Sequence, residues 1–93
     1  MAIHSFLCKD TQALHEGRRI KRWVSVERVA LRKLVQLDWS EVLNDLKVPP
    51  GNHLEALRGD RKGQHSIRIN DQWRLCFVWT VRGAVNVEIV DYH

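Results

Sequence analysis

The chain has few of the residues that would cross-link it, hold a metal or carry it into a membrane. Its 93 residues include only 2 cysteines, 2 prolines and 5 glycines. Cys8 and Cys76 show neither a CxxC motif nor a paired spacing, so two small buried thiols are expected rather than a disulfide framework. The five histidines offer no i,i+4 pair and no cysteine partner, so no metal site and no cofactor are expected. Charged residues make up 28% of the chain, and no apolar run approaches the length of a membrane span. No basic segment leads into an apolar stretch at the start, so no secretion signal is expected, and the chain reads as cytoplasmic. Internal repeats and low-complexity stretches are also missing.

What the chain does have is positive charge. Lysine and arginine number 15 against 11 acids, a formal net charge of +4. An anionic partner suits that balance, although many small domains are as basic, and charge alone decides no function. The length allows one domain, residues 1–93, with no room for a second core.

The most informative stretch is Leu57 to Trp79, LRGDRKGQHSIRINDQWRLCFVW. Glycines bound a basic loop, Gly59-Asp60-Arg61-Lys62-Gly63, where unusual backbone angles are needed. His65-Ser66-Ile67-Arg68-Ile69 alternates as a half-buried strand does, and Trp73 to Trp79 follows as its hairpin partner. A slip of one residue would turn every side chain to the other face, so the apolar set selects the register. A loop of Asn70-Asp71-Gln72 puts Ile69 opposite Trp73, Ile67 opposite Leu75 and Arg68 opposite Arg74. An even turn of Asn70-Asp71 would mix arginines into the apolar set.

Like charges directly opposed across a hairpin are unfavourable. An anion between Arg68 and Arg74, with Arg58 and Arg61 at the edge, would explain them. A last strand, Ala84 to Val90, matches Val85, Val87 and Ile89 to the face of Leu75, Phe77 and Trp79. That alignment places Val90 and Tyr92 on the arginine face and ends the sequence on His93 beside it. Arginines to hold phosphate, with a tyrosine and a histidine to move protons, are what RNA cleavage needs.

Before the hairpin, Ala2 to Leu7 reads weakly as a first strand. Asp10 or Thr11 can cap a short helix that Gly17 stops. Ser25 can cap the main helix, with Glu27 in its first turn and Val26, Ala30, Leu34 and Leu37 on one face. Arg28, Arg32 and Lys33 form its expected solvated side. A further short helix starts at Ser40-Glu41 and ends at Pro49-Pro50-Gly51. Leu54 to Leu57 is a short strand entering the basic loop. This order implies an α+β domain, a largely antiparallel sheet with helices packed on one face. Trp73, Phe77 and Trp79 belong to its core, and His65 to the core or its rim.

The same residues carry a resemblance. The stretch from Leu57 to Trp79, the terminal Asp91-Tyr92-His93, the opening MAIHSF and the segment VPPGNHLEALRGD together resemble the HigB branch of the RelE-like bacterial toxins. The resemblance implies the compact RelE-like α+β fold and a ribosome-dependent mRNA endoribonuclease that inhibits translation. It also implies silencing by a HigA-like helix-turn-helix antitoxin. The other implied partners are mRNA in the ribosomal A site, the 70S ribosome, and operator DNA bound only through the antitoxin complex.

Roles follow from the chemistry. Cleavage by the RNA's own 2′-hydroxyl needs a proton acceptor, charge stabilisation at the phosphate and a proton for the leaving oxygen. Arg74 is the first choice for stabilisation, with Arg58 and Arg68 next. His93 is the natural proton carrier. A last residue is often disordered, but the terminal Asp-Tyr-His belongs to the HigB pattern. Tyr92 would orient the base or assist proton transfer, and Asp91 would position His93 or an arginine. Arg61, Lys62 and Arg68, with Arg18, Arg19 and Arg22, are candidate RNA contacts. The Arg18–Arg22 run reads equally as a solvated connector or as a contact for ribosomal RNA or an acidic antitoxin segment.

Two positions depart from the family pattern. Related toxins often carry a histidine three residues before a lysine; here those sites are Glu55 and Arg58. Glu55 is either the base or an exposed strand residue. The runner-up reading is a non-catalytic RNA- or ribosome-binding module of the same fold, or a degenerate toxin.

Overall fold

Alternating large apolar residues from Trp73 to Trp79 build the central strand, and the rest of the sheet forms around it. The computed structural model describes residues 1–91. Four strands, β1 (Glu55–Ala56), β2 (His65–Arg68), β3 (Trp73–Thr80) and β4 (Gly83–Asp91), pair antiparallel in the order β1-β2-β3-β4.

The β2–β3 register is the expected one, with Ile67 opposite Leu75 and Arg68 opposite Arg74. Asn70 sets the loop, its side-chain oxygen accepting the backbone N–H groups of Gln72 (2.9 Å) and Trp73 (2.7 Å). β4 follows the expected register only at one end. Leu75 faces Ile89 and Arg74 faces Val90, but a bulge between Cys76 and Val78 then puts Val85 opposite Val78 and Ala84 opposite Trp79. Asn86, at φ 55°, is the extra residue. Beyond it Ala84, and not Val85, is the fully buried side chain.

That bulge also explains the first segment. Instead of a strand over Ala2–Leu7, Ile3 and Phe6 make two separate parallel bridges to Ala84 and Val87, on either side of the bulged residue. Ser5 Oγ accepts the Asn86 N–H at 2.8 Å and fills the gap in the ladder.

Helix α1 (Lys9–His15) starts after Cys8, with no side-chain cap. Thr11, expected as a cap, is buried and accepts the Ile89 N–H at 3.0 Å, which ties α1 to β4. Gly17, at φ 96°, ends the helix as expected. A 3-10 turn at Lys21–Val26 then buries Trp23 completely, edge-on to Trp73. Helix α2 (Glu27–Trp39) begins after Val26, so Ser25 lies inside the turn and is not its cap. Ala30, Leu34 and Leu37 are fully buried in one core with Ile67, Leu75, Phe77 and Val87.

Lys33 is not on the solvated side. It is buried and donates to the Asn52 side-chain oxygen. Asn52 donates in turn to Gln36 Oε1 and to the Leu46 carbonyl, both at 3.0 Å. The helix expected from Ser40 is two 3-10 turns, Leu43–Lys47 and Pro50–Asn52, which this network holds against α2. Pro50 opens the second turn, where its missing N–H costs nothing.

Candidate functional site

Helices cover the Ile67/Leu75/Phe77 face of the sheet. The opposite face carries Ser66, Arg68, Arg74, Cys76 and Glu88, because side chains alternate along each strand. Arg74 is its centre, and it is buried at 8% exposure rather than open to solvent. Its Nε donates to Ser66 Oγ at 2.8 Å and its Nη2 to the His53 carbonyl at 2.7 Å. Glu55 Oε1 lies 3.6 Å from the same Nη2, on a side chain 48% exposed. The guanidinium is therefore anchored from below and meets a carboxylate where solvent begins.

Arg61 reaches over from the turn Gly59–Arg61, bonding Glu88 Oε1 at 2.9 Å and Gln64 Oε1 at 3.1 Å. Cys76 lies among these charges. Burial pushes its thiol up from 9.0 to about 11, with Glu88 and Glu55 raising it and Arg61 and Arg74 lowering it. Arg68 is half-exposed and pairs with Asp71. Each of the opposed arginines thus has an acid of the chain beside it, which offsets the like-charge pairing. Arg58 is exposed at the end of a shallow cleft of about 540 Å³ lined by Glu55, Ala56 and Leu57. Lys62 is exposed in the same loop, between the positive-φ residues Gly59 and Gly63.

The fold brings Arg61, Arg68, Arg74 and Glu55 to one side, with Arg58 in the cleft beside Glu55. It leaves Arg18, Arg19 and Arg22 in the helical layer, on the other side of the sheet, where Arg19 pairs with Glu27 and Arg22 with Asp10, both at 3.2 Å. Asp91 ends β4 opposite Trp73, one residue out of step with Arg74, and accepts from Gln72 Nε2 at 3.1 Å. Tyr92 and His93 lie outside the described residues.

Sequence reasoning missed Ser66, the His53 carbonyl and Glu88. Ser66 was legible in principle, as a small polar residue on the arginine face of an alternating strand. The His53 carbonyl carried no signal, since a backbone group has no residue type. Its left-handed conformation, φ 45°, is what aims it at Arg74.

A four-stranded antiparallel sheet with helices on one face and arginines on the other defines an α+β domain of the RelE-like plan. The family profile described as RelE-like toxin of type II toxin-antitoxin system HigB matches residues 5–93, and the chain belongs to that family. It is 47% identical over 62 residues, 67% of its length, to Toxin HigB-1 of Vibrio cholerae. It is also 41% identical over 66 residues, 71% of its length, to an uncharacterized protein of Haemophilus influenzae. The matched stretches span 65% and 64% of those two proteins, a little under two thirds of each. Among the described residues, no helix is long and apolar enough to cross a membrane.

Proposed function

We propose that this chain is the toxin of a type II toxin–antitoxin pair and acts in the cytoplasm as a metal-independent endoribonuclease on mRNA held in the A site of the 70S ribosome. The observation that carries the reading is the juxtaposition of Arg74 and Glu55. A fixed cation and a solvent-facing carboxylate lie 3.6 Å apart on a face that also holds Arg68 and Arg61, with Arg58 in the cleft beside Glu55. Charge placed before the reaction stabilises a phosphorane at no cost of reorganisation, and arginine supplies it without losing its proton.

In this reading a phosphate takes the solvent side of Arg74, with Arg58 and Arg68 as neighbouring donors. Arg61 and Lys62 contact the RNA backbone. His93 donates or accepts the proton, assisted by Tyr92 and placed by Asp91. Glu55 is the possible base where relatives carry histidine. A HigA-like helix-turn-helix antitoxin silences the toxin, and only their complex binds operator DNA.

The test is induction in bacteria with mRNA ends mapped, for the wild type and for His93→Gln. The expected result is new ends within ribosome-occupied codons, lost in the variant together with growth arrest. Growth arrest without new ends, unchanged in His93→Gln, would show a ribosome binder instead.

A further inference from the structure

The helical layer has a second, solvent-facing side. Helix α2 buries Ala30, Leu34 and Leu37, yet its solvent side is not uniformly polar. Arg28, Arg32, Val35 and Trp39 follow i, i+4, i+7, i+11 spacing, which aligns them in one stripe about 16 Å long. Val35 is 43% exposed and Trp39 80% exposed. The stripe runs into a groove of about 760 Å³ between Trp39, Met1 and Val81, with Arg82 beside it. Met1 and Val81 are also almost wholly in solvent. An indole left that far out, continuous with further apolar side chains, marks an interaction surface.

The charge of the stripe identifies the partner. Among the described residues neither Arg28 nor Arg32 makes an ion pair. Of the nearby acids, Glu27 holds Arg19 and Asp38 is buried, accepting the Ile3 N–H at 3.1 Å, while Glu41 lines the groove. By contrast, Arg19 and Arg22 in the preceding run are matched by acids of the chain itself, so that run offers less to a docking protein.

We propose that the Arg28–Trp39 face of α2 and its groove are the docking surface for the partner protein, which presents an acidic amphipathic helix there. Apolar residues of that helix cover Val35 and Trp39, and its carboxylates meet Arg28 and Arg32. RNA is disfavoured because Val35, Trp39, Met1 and Val81 are apolar and exposed, although Arg82 borders their groove.

The inference rests on the toxin–antitoxin reading above. The probe is the protein encoded by the gene adjacent to this one, co-expressed and purified, with affinity measured by calorimetry. Trp39→Ala and the double variant Arg28→Glu/Arg32→Glu are each expected to weaken binding about tenfold or more, as loss of an interface anchor does. Both should keep the wild-type circular dichroism spectrum and growth arrest in the absence of the partner, because the side chains are exposed. Wild-type affinity in both variants would overturn the surface alone. Loss of 70S sedimentation with partner affinity intact would also overturn it, assigning the stripe to ribosomal RNA. A wild-type chain that binds no partner would overturn the pairing and the surface together.

Discussion

Arg74 illustrates how much one side chain depends on what surrounds it. Its planar guanidinium spans two acceptors, Ser66 Oγ and the His53 carbonyl, and presents a charge beside Glu55. Lysine has the charge but not the fork geometry. Arg74→Lys is therefore expected to lose growth arrest while its melting temperature falls only modestly; unimpaired cleavage by a folded Arg74→Lys protein would remove Arg74 from the site. Arg74→Ala is the poorer probe, because it leaves buried acceptors unpaired and costs about 1–3 kcal/mol of stability on its own. Cys76 makes a second point at this scale. With its thiol pushed up to about 11, it stays neutral near physiological pH and should alkylate far more slowly than the less buried Cys8. The sign for stability follows. The unfolded thiol ionises first, near 9.0, so the contribution of Cys76 is complete below that pH and is lost as pH rises toward about 11. Equal labelling of the two thiols in the native protein would refute this.

At the scale of elements, two tie points hold the irregular parts to the regular ones. Asn52 is fully buried and serves Lys33, Gln36 and the Leu46 carbonyl at once. Asn52→Ala should cost at least ~2 kcal/mol, since several buried polar groups lose their partner together. It should also release the neighbouring His53 carbonyl from Arg74, so activity should fall before the fold is lost. Chemical denaturation alongside growth assays would reveal a variant that is stable and active, contrary to this account. The second tie is Gly83, at φ 125°, where an added Cβ would lie 2.3 Å from the Ala2 carbonyl oxygen. That backbone supplies the Ala84 N–H to Ala2 O bond of 2.7 Å. Gly83→Ala should detach the first segment from β4 and destabilise the protein by roughly 3 kcal/mol or more, from strain and clash combined. A melting temperature within a degree or so of wild type would count against it.

For the molecule as a whole, the two charged surfaces lie on opposite sides of one sheet. The cleft beside the Arg74 face is lined by four consecutive residues, Glu55 to Arg58. Positioning can be worth several powers of ten in rate, and a ribosome would provide it. Cleavage of free RNA by the isolated chain should therefore be slow, and addition of programmed 70S ribosomes should raise it by orders of magnitude. Rapid cleavage of naked RNA, indifferent to ribosomes, would instead describe a general nuclease.

The sequence by itself determined the β2–β3 register with Arg68 opposite Arg74, the apolar face of α2 and the stop at Gly17. These follow from strict periodicity or from a glycine's conformational freedom, which are local properties. Family membership was legible for the same reason, since its motifs are runs of adjacent residues. Tertiary structure alone decided the bulge at Asn86, the inward turn of Lys33, the pairing of Arg19 with Glu27 and of Arg22 with Asp10, and the use of the His53 carbonyl to hold Arg74. Each depends on groups distant in sequence or on backbone atoms common to every residue, and each settles where a polar group finds its partner. Hydrophobic pattern specifies which face is buried, but not which donor a buried acceptor will meet.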